Sequence, residues 1–259
     1  MTPSPKKDVA TSVQKHPGKP EHTRDWNTCL PNLKVAGIAT KLTDFVQKLS
    51  EVVGGHECSQ RWTPPMNCVP SLLRSCVPMP RPIFTYFDFG GRAFAVRVAL
   101  FKALGKDGWE DERIDGPTFA RRKAAGELPL GALPMITLPD GLKVSQSTAL
   151  ARWAGRQSTL YPTDPTAALI VDFVMETANE ILGKSPTSKD PDEKKKAREE
   201  YSQSGFMFRA MSALEARYDD ASGFCTGSLT IADLVLYGVV DMVLTGNFDY
   251  VPPSYMLAH

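Results

Sequence analysis

Apolar and polar positions change rhythm twice along this chain. Residues 1–35 are rich in Pro, Lys, Ser and Thr and show no apolar periodicity, which predicts a disordered leader. Ile38, Leu42, Phe45, Leu49 and Val52 then recur at one-face helical spacing, and Gly54-Gly55 stops the run. That stretch predicts an amphipathic helix that docks on the core. Residues 60–82 are proline-rich and read as an irregular linker.

From Pro82 the pattern becomes that of a packed domain. Ile83–Phe87 is a short apolar strand, and residues 92–104 form a helix closed by Gly105. This helix is apolar almost all round (Phe94, Val96, Val98, Leu100, Phe101, Leu104), so it is expected between two layers. Trp109–Ile114 is a weaker strand, and 118–125 a short helix or turn. Pro134–Leu138 and Leu142–Val144 read as strands joined by a tight turn at "PDG", and 148–157 as a further helix. The order β-α-β-α-β-β-α describes a small α/β sandwich. After "YPTDP" the pattern is wholly helical: 166–183, 191–218 and a helix from about 230. The fold class is therefore α/β followed by all-α. The expected domains are an extension over 1–81, an α/β domain over 82–160 and a helical domain over 161–259.

Composition changes this picture little. The chain has 259 residues, a formal net charge of +1 and 42% hydrophobic residues, which is ordinary globular composition. No apolar run approaches a membrane span, and nothing in the charge suggests nucleic acid. Residues 1–80 hold ten Lys/Arg against six Asp/Glu, so the basic excess lies in the extension. There is no apolar secretory segment. An organelle transit peptide stays open, although Asp8, Glu21 and Asp25 and a first Arg only at position 24 count against it. Five cysteines, an odd number without CxxC, predict free thiols in a reducing, cytoplasmic setting. His56, Cys58, Cys68 and Cys76 match no standard zinc spacing, so no metal site is expected.

Four stretches carry the candidate chemistry. "TYFDFGGR" puts a tyrosine at the end of the first strand, a glycine pair that lets the backbone turn, and Arg92 in the following turn. "LPLGALPMI" starts a strand with Pro134, where the missing N–H is tolerated. "SQSTALARW" ends a strand at Ser145-Gln146 and offers Ser147 as a helix cap, with the helix terminus as an anion site. "SLTIADL" is a capping box with Thr230 and Asp233, structural on any reading. Taken singly, these are an edge tyrosine, a strand-start proline and capped helices.

Together, over residues 82–255, they resemble the cytosolic glutathione transferases of the tyrosine type, nearest the sigma-like group. The resemblance implies a thioredoxin-like domain followed by a helical domain, with glutathione as co-substrate and no cofactor. It implies Tyr86 as the catalytic phenol, supported by Arg92. Leu133 before a cis Pro134 would hold the cysteinyl backbone, Gln146 and Ser147 the γ-glutamyl carboxylate, and Lys123 and Phe119 the glycyl end. Phe119 stands where this group usually has Trp, Ala132 where many members place Gln or Lys, and Glu180 in place of an Asp that reaches the neighbouring subunit. The short stretch after the last helix is expected to leave Leu234, Leu236 and Val239 partly uncovered.

The chemistry follows from the thiol. A free cysteine of pKa ~8.5 is only slightly ionised at neutral pH. A phenol O–H and a nearby cation favour the thiolate, and lowering the pKa by about two units needs roughly 2.7 kcal/mol. The expected function is a homodimeric transferase that conjugates reduced glutathione to small electrophiles. The alternatives are a related binding or structural protein with little turnover, or a glutathione-dependent isomerase of lipid peroxides.

Overall fold

The computed structural model describes residues 81–218 and 221–257. The leader, the amphipathic stretch at 38–52, the proline-rich linker to residue 80 and the His56/Cys58/Cys68/Cys76 set lie outside the described residues.

The first part is a four-stranded sheet with helices: β1 (Ile83–Phe87), a 3-10 turn (Gly91–Ala93), α1 (Phe94–Leu104), β2 (Glu110–Ile114), α2 (Gly116–Ala124), β3 (Met135–Thr137), β4 (Lys143–Ser145) and α3 (Ser147–Gln157). The strand order is β2-β1-β3-β4. β1 and β2 run parallel and need the α1 crossover, whereas β3 and β4 are antiparallel and need only a tight turn. Gly141 supplies that turn at φ +87°. The second part is helical: α4 (Pro165–Gly183), α5 (Pro191–Gln203), α6 (Phe206–Glu215), α7 (Ile231–Leu244) and a short 3-10 turn (Pro253–Leu257). The thioredoxin-like domain followed by a helical domain is thus the observed architecture.

Aspartates start three of these helices. Asp115 accepts from the Thr118 amide at 2.8 Å, Asp164 from Ala167 at 2.7 Å, and Asp190 from Asp192 at 2.8 Å. In α4 and α5 the cap is followed directly by proline, whose fixed φ suits the first helical position. At α7, Asp233 reaches back to the Thr230 amide at 2.7 Å and its hydroxyl at 2.8 Å, and its other oxygen accepts from the Cys225 amide at 3.2 Å. The carboxyl is buried, which pushes its pKa up, while these donors pull it back.

The structure corrects several expectations. The helix expected over 92–104 starts as a 3-10 turn, and it is not apolar-buried all round: Ala95, Val96, Ala99 and Leu100 face the core while Phe101 and Leu104 remain exposed. The helix expected over 191–218 is two. The amides of Ser204 and Gly205 both return to the Glu200 carbonyl, at 3.1 and 2.9 Å, and end α5. Only glycine fits at 205, because a Cβ would lie 2.7 Å from the Tyr201 Cα. Tyr201 is held in turn by its hydroxyl, which donates to the Ile181 carbonyl of α4 at 2.8 Å.

The largest correction concerns α7. Leu234, Leu236 and Val239 are buried, not partly uncovered. α7 packs against α4 and α1, and the chain after it folds back so that Phe248, Val251 and Met256 join the same core. Asp249 fastens this segment to α5 by pairing with Lys194 and, at 2.8 Å, with Arg198. Arg198 also donates to the Pro186 carbonyl at 2.8 Å and lies 4.8 Å from the Phe248 ring centroid.

Which of these contacts holds the segment is measurable. Phe248 is buried and Asp249 is half exposed, so apolar packing should dominate over a screened ion pair. Urea unfolding should show Phe248→Ala costing roughly 3–5 kcal/mol and Asp249→Ala about 1 kcal/mol or less.

Candidate functional site

Strand register builds the site. In the antiparallel β1–β3 pair Thr85 faces Met135, and in β3–β4 Met135 faces Ser145. One step further along each strand aligns Tyr86, Pro134 and Gln146 in a single row at the end of the sheet. The Leu133–Pro134 peptide bond is cis. Gln146 is exposed with φ +86°, a conformation that a non-glycine residue adopts only where its surroundings impose it.

Ser147 does not do what its sequence suggests. It is the first residue of α3 rather than its cap, and the Gln146 side chain makes no cap either. The first-turn amides of α3 therefore point out of the helix without the side-chain partner that caps α2, α4 and α5, the arrangement that suits a ligand carboxylate. The Ser147 hydroxyl instead donates to the Asn179 side-chain oxygen of α4 at 3.3 Å.

Tyr86 is buried beneath aromatic rings. Phe89 and Phe87 each lie 5.3 Å from it between centroids, and Phe87 meets Phe119 edge-on at 5.4 Å. The turn that follows is pinned by Arg97. Its guanidinium donates to the carbonyls of Phe89 at 2.6 Å and Phe87 at 3.0 Å, and to Asp111 of β2 at 2.9 Å. Gly91 sits at φ +45°, where a Cβ would come within 2.7 Å of the Phe89 ring and 3.5 Å of the Tyr86 hydroxyl. Burial raises the Tyr86 pKa, while the Arg92 charge, the Arg92 backbone amide and the Arg97 charge pull it back. The phenol therefore stays protonated at neutral pH and can donate a hydrogen bond.

Arg92 lies where the two halves of the chain meet. Its guanidinium donates to the Asn179 side-chain oxygen at 2.5 Å. Gly91, Arg92, Ser147 and Asn179 line one small cavity of about 20 Å³, with Val235 and Val239 of α7 closing its apolar side. Tyr86, Leu133, Pro134 and Gln146 do not line it. Tyr86, Pro134 and Gln146 belong to the row at the sheet end, and Leu133 directly precedes it.

Phe119 and Lys123 form a second group on α2. The Lys123 ammonium lies 5.8 Å from the centre of the Phe119 ring, and its stem packs against Gly131, two residues before Leu133. Among the described residues no carboxylate pairs with Lys123, which is exposed and available to an anion. Phe87 connects this group to Tyr86. Glu180 pairs with its helix neighbour Lys184 at 3.0 Å. Cys225 is buried and its thiol is pushed up to about 12 by burial, so it is no nucleophile at neutral pH.

Sequence reasoning missed three contributors. Arg97 carries a legible sign, a lone arginine one and a half turns beyond Arg92 on an apolar helix. Phe89 and Asn179 gave none, because their roles depend on the turn at Gly91 and on the packing of α4 against α3.

No protein-family model matches the chain. Over 111 residues it is 35% identical to the probable glutathione S-transferase gst-36 of Caenorhabditis elegans, covering 43% of this chain and 50% of that protein. It is 27% identical to glutathione S-transferase 2 of Manduca sexta, covering 63% of this chain and 79% of that one. The chain thus spans about half the length of the first relative and four-fifths of the second. Prostaglandin synthase D of Nilaparvata lugens has a similar structure, with a TM-score of 0.56, 23% identity, and 69% of this chain and 91% of that one covered. That likeness establishes the fold.

The contact between Gly91 and Phe89 makes a checkable claim about this turn. Gly91→Ala should destabilise the protein by about 1–3 kcal/mol in urea unfolding, from strain at positive φ and from the clash. In a Phe89→Ala background the same substitution should cost distinctly less, since only the backbone strain remains.

Proposed function

We propose that this protein conjugates reduced glutathione to small electrophiles by stabilising the glutathione thiolate. The observation that carries this reading is the row of Tyr86, cis-Pro134 and Gln146 across three strands, with Arg92 beside it. The similarity to proteins named glutathione S-transferase supports it.

The residues divide the tripeptide between them. Lys123, over the Phe119 face, takes the glycyl carboxylate. Leu133, ahead of the cis bond, offers its backbone to the cysteinyl unit. Gln146, Ser147 and the start of α3 take the γ-glutamyl end. The thiol then lies at Tyr86. It loses its proton to solvent, and the thiolate accepts the phenol hydrogen bond while the Arg92 charge favours the anion. The sulfur lone pair forms the new bond to the electrophilic carbon. A leaving group departs with its bonding electrons, or, for an activated alkene, the resulting carbanion takes up a proton. Glutathione is a co-substrate, and the chemistry calls for no cofactor.

Assembly and setting belong to the same reading. Leu169 and Phe173 lie four residues apart on one face of α4 and are exposed at 70% and 40%, and Leu130 at 76%. These faces support a homodimer. Free Cys225 and the absence of CxxC from the sequence support a cytoplasmic setting. In sedimentation velocity a dimer is the expected wild-type species, and Leu169→Asp should shift it toward monomer. A wild-type monomer would remove this part of the proposal.

Bound glutathione, titrated by thiolate ultraviolet absorbance, tests the chemistry. Thiolate should form about two pH units below the free thiol in the wild type and near the free value in Tyr86→Phe, with kcat/KM at neutral pH falling roughly 25-fold, the ratio of the thiolate fractions. Equal titrations in both proteins would refute the role given to Tyr86.

A further inference from the structure

Arg92 differs from the other partly buried arginines. Arg97, Arg122, Arg152 and Arg198 each pair with a carboxylate: Asp111, Glu112, Asp172 and Asp249. Among the described residues Arg92 enters no ion pair. Its guanidinium donates instead to the neutral side-chain amide oxygen of Asn179, and the same oxygen accepts from Ser147.

That oxygen joins two parts of the candidate site which the sheet alone does not connect. Arg92 comes from the turn after β1 and Ser147 from the start of α3, while Asn179 lies on α4 in the helical part. We infer that Asn179 is a positioning residue for the thiolate site: it fixes the Arg92 guanidinium and the start of α3 with one neutral acceptor, and so leaves the arginine charge uncompensated. The inference rests on the glutathione reading above.

The electrostatic logic is a comparison of two acceptors. A carboxylate at 179 would orient Arg92 equally well. It would also place a negative charge against the guanidinium and cancel most of its field at the nearby phenol and thiolate. An amide orients without cancelling. Two of the neighbouring charges are already paired with others. Glu180, next on α4, is paired with Lys184. Arg97 of α1 is paired with Asp111 of β2. Asp241 of α7 faces Gly90, with its carboxylate oxygen 3.4 Å from where a Cβ would stand. The α3 residues lining the cavity, Ser147, Thr148 and Ala151, carry no charge.

The test is Asn179→Asp, nearly identical in shape, read by two titrations in the full chain. The first follows Tyr86 by NMR of carbon-labelled tyrosine, assigned with Tyr86→Phe, and needs no ligand. The second follows the thiolate of bound glutathione. Asn179→Asp should keep the wild-type melting temperature and raise both midpoints by about one pH unit. Asn179→Ser, which stays neutral but has a hydroxyl too short to hold Arg92 and Ser147 together, should shift both midpoints less than Asn179→Asp does. A folded Asn179→Asp protein with both midpoints unmoved overturns the inference, as does a fall in melting temperature with unmoved midpoints. If the wild type binds no glutathione, the proposed function fails, and the Tyr86 midpoint alone still decides the role of Asn179.

Discussion

Strand register is the constraint on which the rest depends. Side chains alternate faces along a strand, so a one-residue slip of β3 against β1 would turn Pro134 away from Tyr86 and take Gln146 out of the row. The register is held by what lies beneath it. Phe84 and Ile136 are paired across the β1–β3 ladder and are both buried, and Val144 opposite Ile136 packs against the same core. A slip would expose this apolar set. The packing that makes the sheet stable therefore also places a phenol, a cis-proline carbonyl region and a helix start next to one another.

The helical part contributes to the site through α7 and α4. α7 is buried along most of its length and packs against α1, the Gly91–Ala93 turn and α4. Gly238 permits the closest of these approaches, since a Cβ there would lie 2.8 Å from the Gly91 carbonyl oxygen. The turn that carries Arg92 is thus braced from below by α7, from one side by Arg97 and from the other by Asn179. Three unrelated contacts hold one short segment, which suits a group that must not move as charge develops beside it.

The fold was largely legible in the sequence because its signals are local. Short apolar strand runs, helical apolar spacing, tight-turn residues and glycine stops each act within a few residues. The β-α-β-α-β-β-α order and the later helices follow from them. The same holds for Tyr86 and Pro134, which sit at strand ends. What the sequence did not show is set by distant packing. Ser147 looks like a cap by composition but turns to Asn179, 32 positions away. Leu234, Leu236 and Val239 are buried because α7 packs against α4, α1 and the Gly91–Ala93 turn, and no local pattern announces that packing. The break at Gly205 depends on the bulk of the Tyr201 backbone in the preceding turn. Arg97 stands out as a lone arginine on an apolar helix, but two of its partners, the Phe87 and Phe89 carbonyls, are backbone atoms that no sequence pattern marks.

The central claim is that this site ionises the thiol of the peptide it binds. Calorimetric titration of glutathione at neutral pH, repeated in buffers of different ionisation enthalpy, counts the protons released on binding. Release of roughly 0.7 proton per site is the expected result, because most of the bound thiol becomes thiolate at a pKa about two units below the free value. Binding with no proton release, or no binding at all, would contradict it.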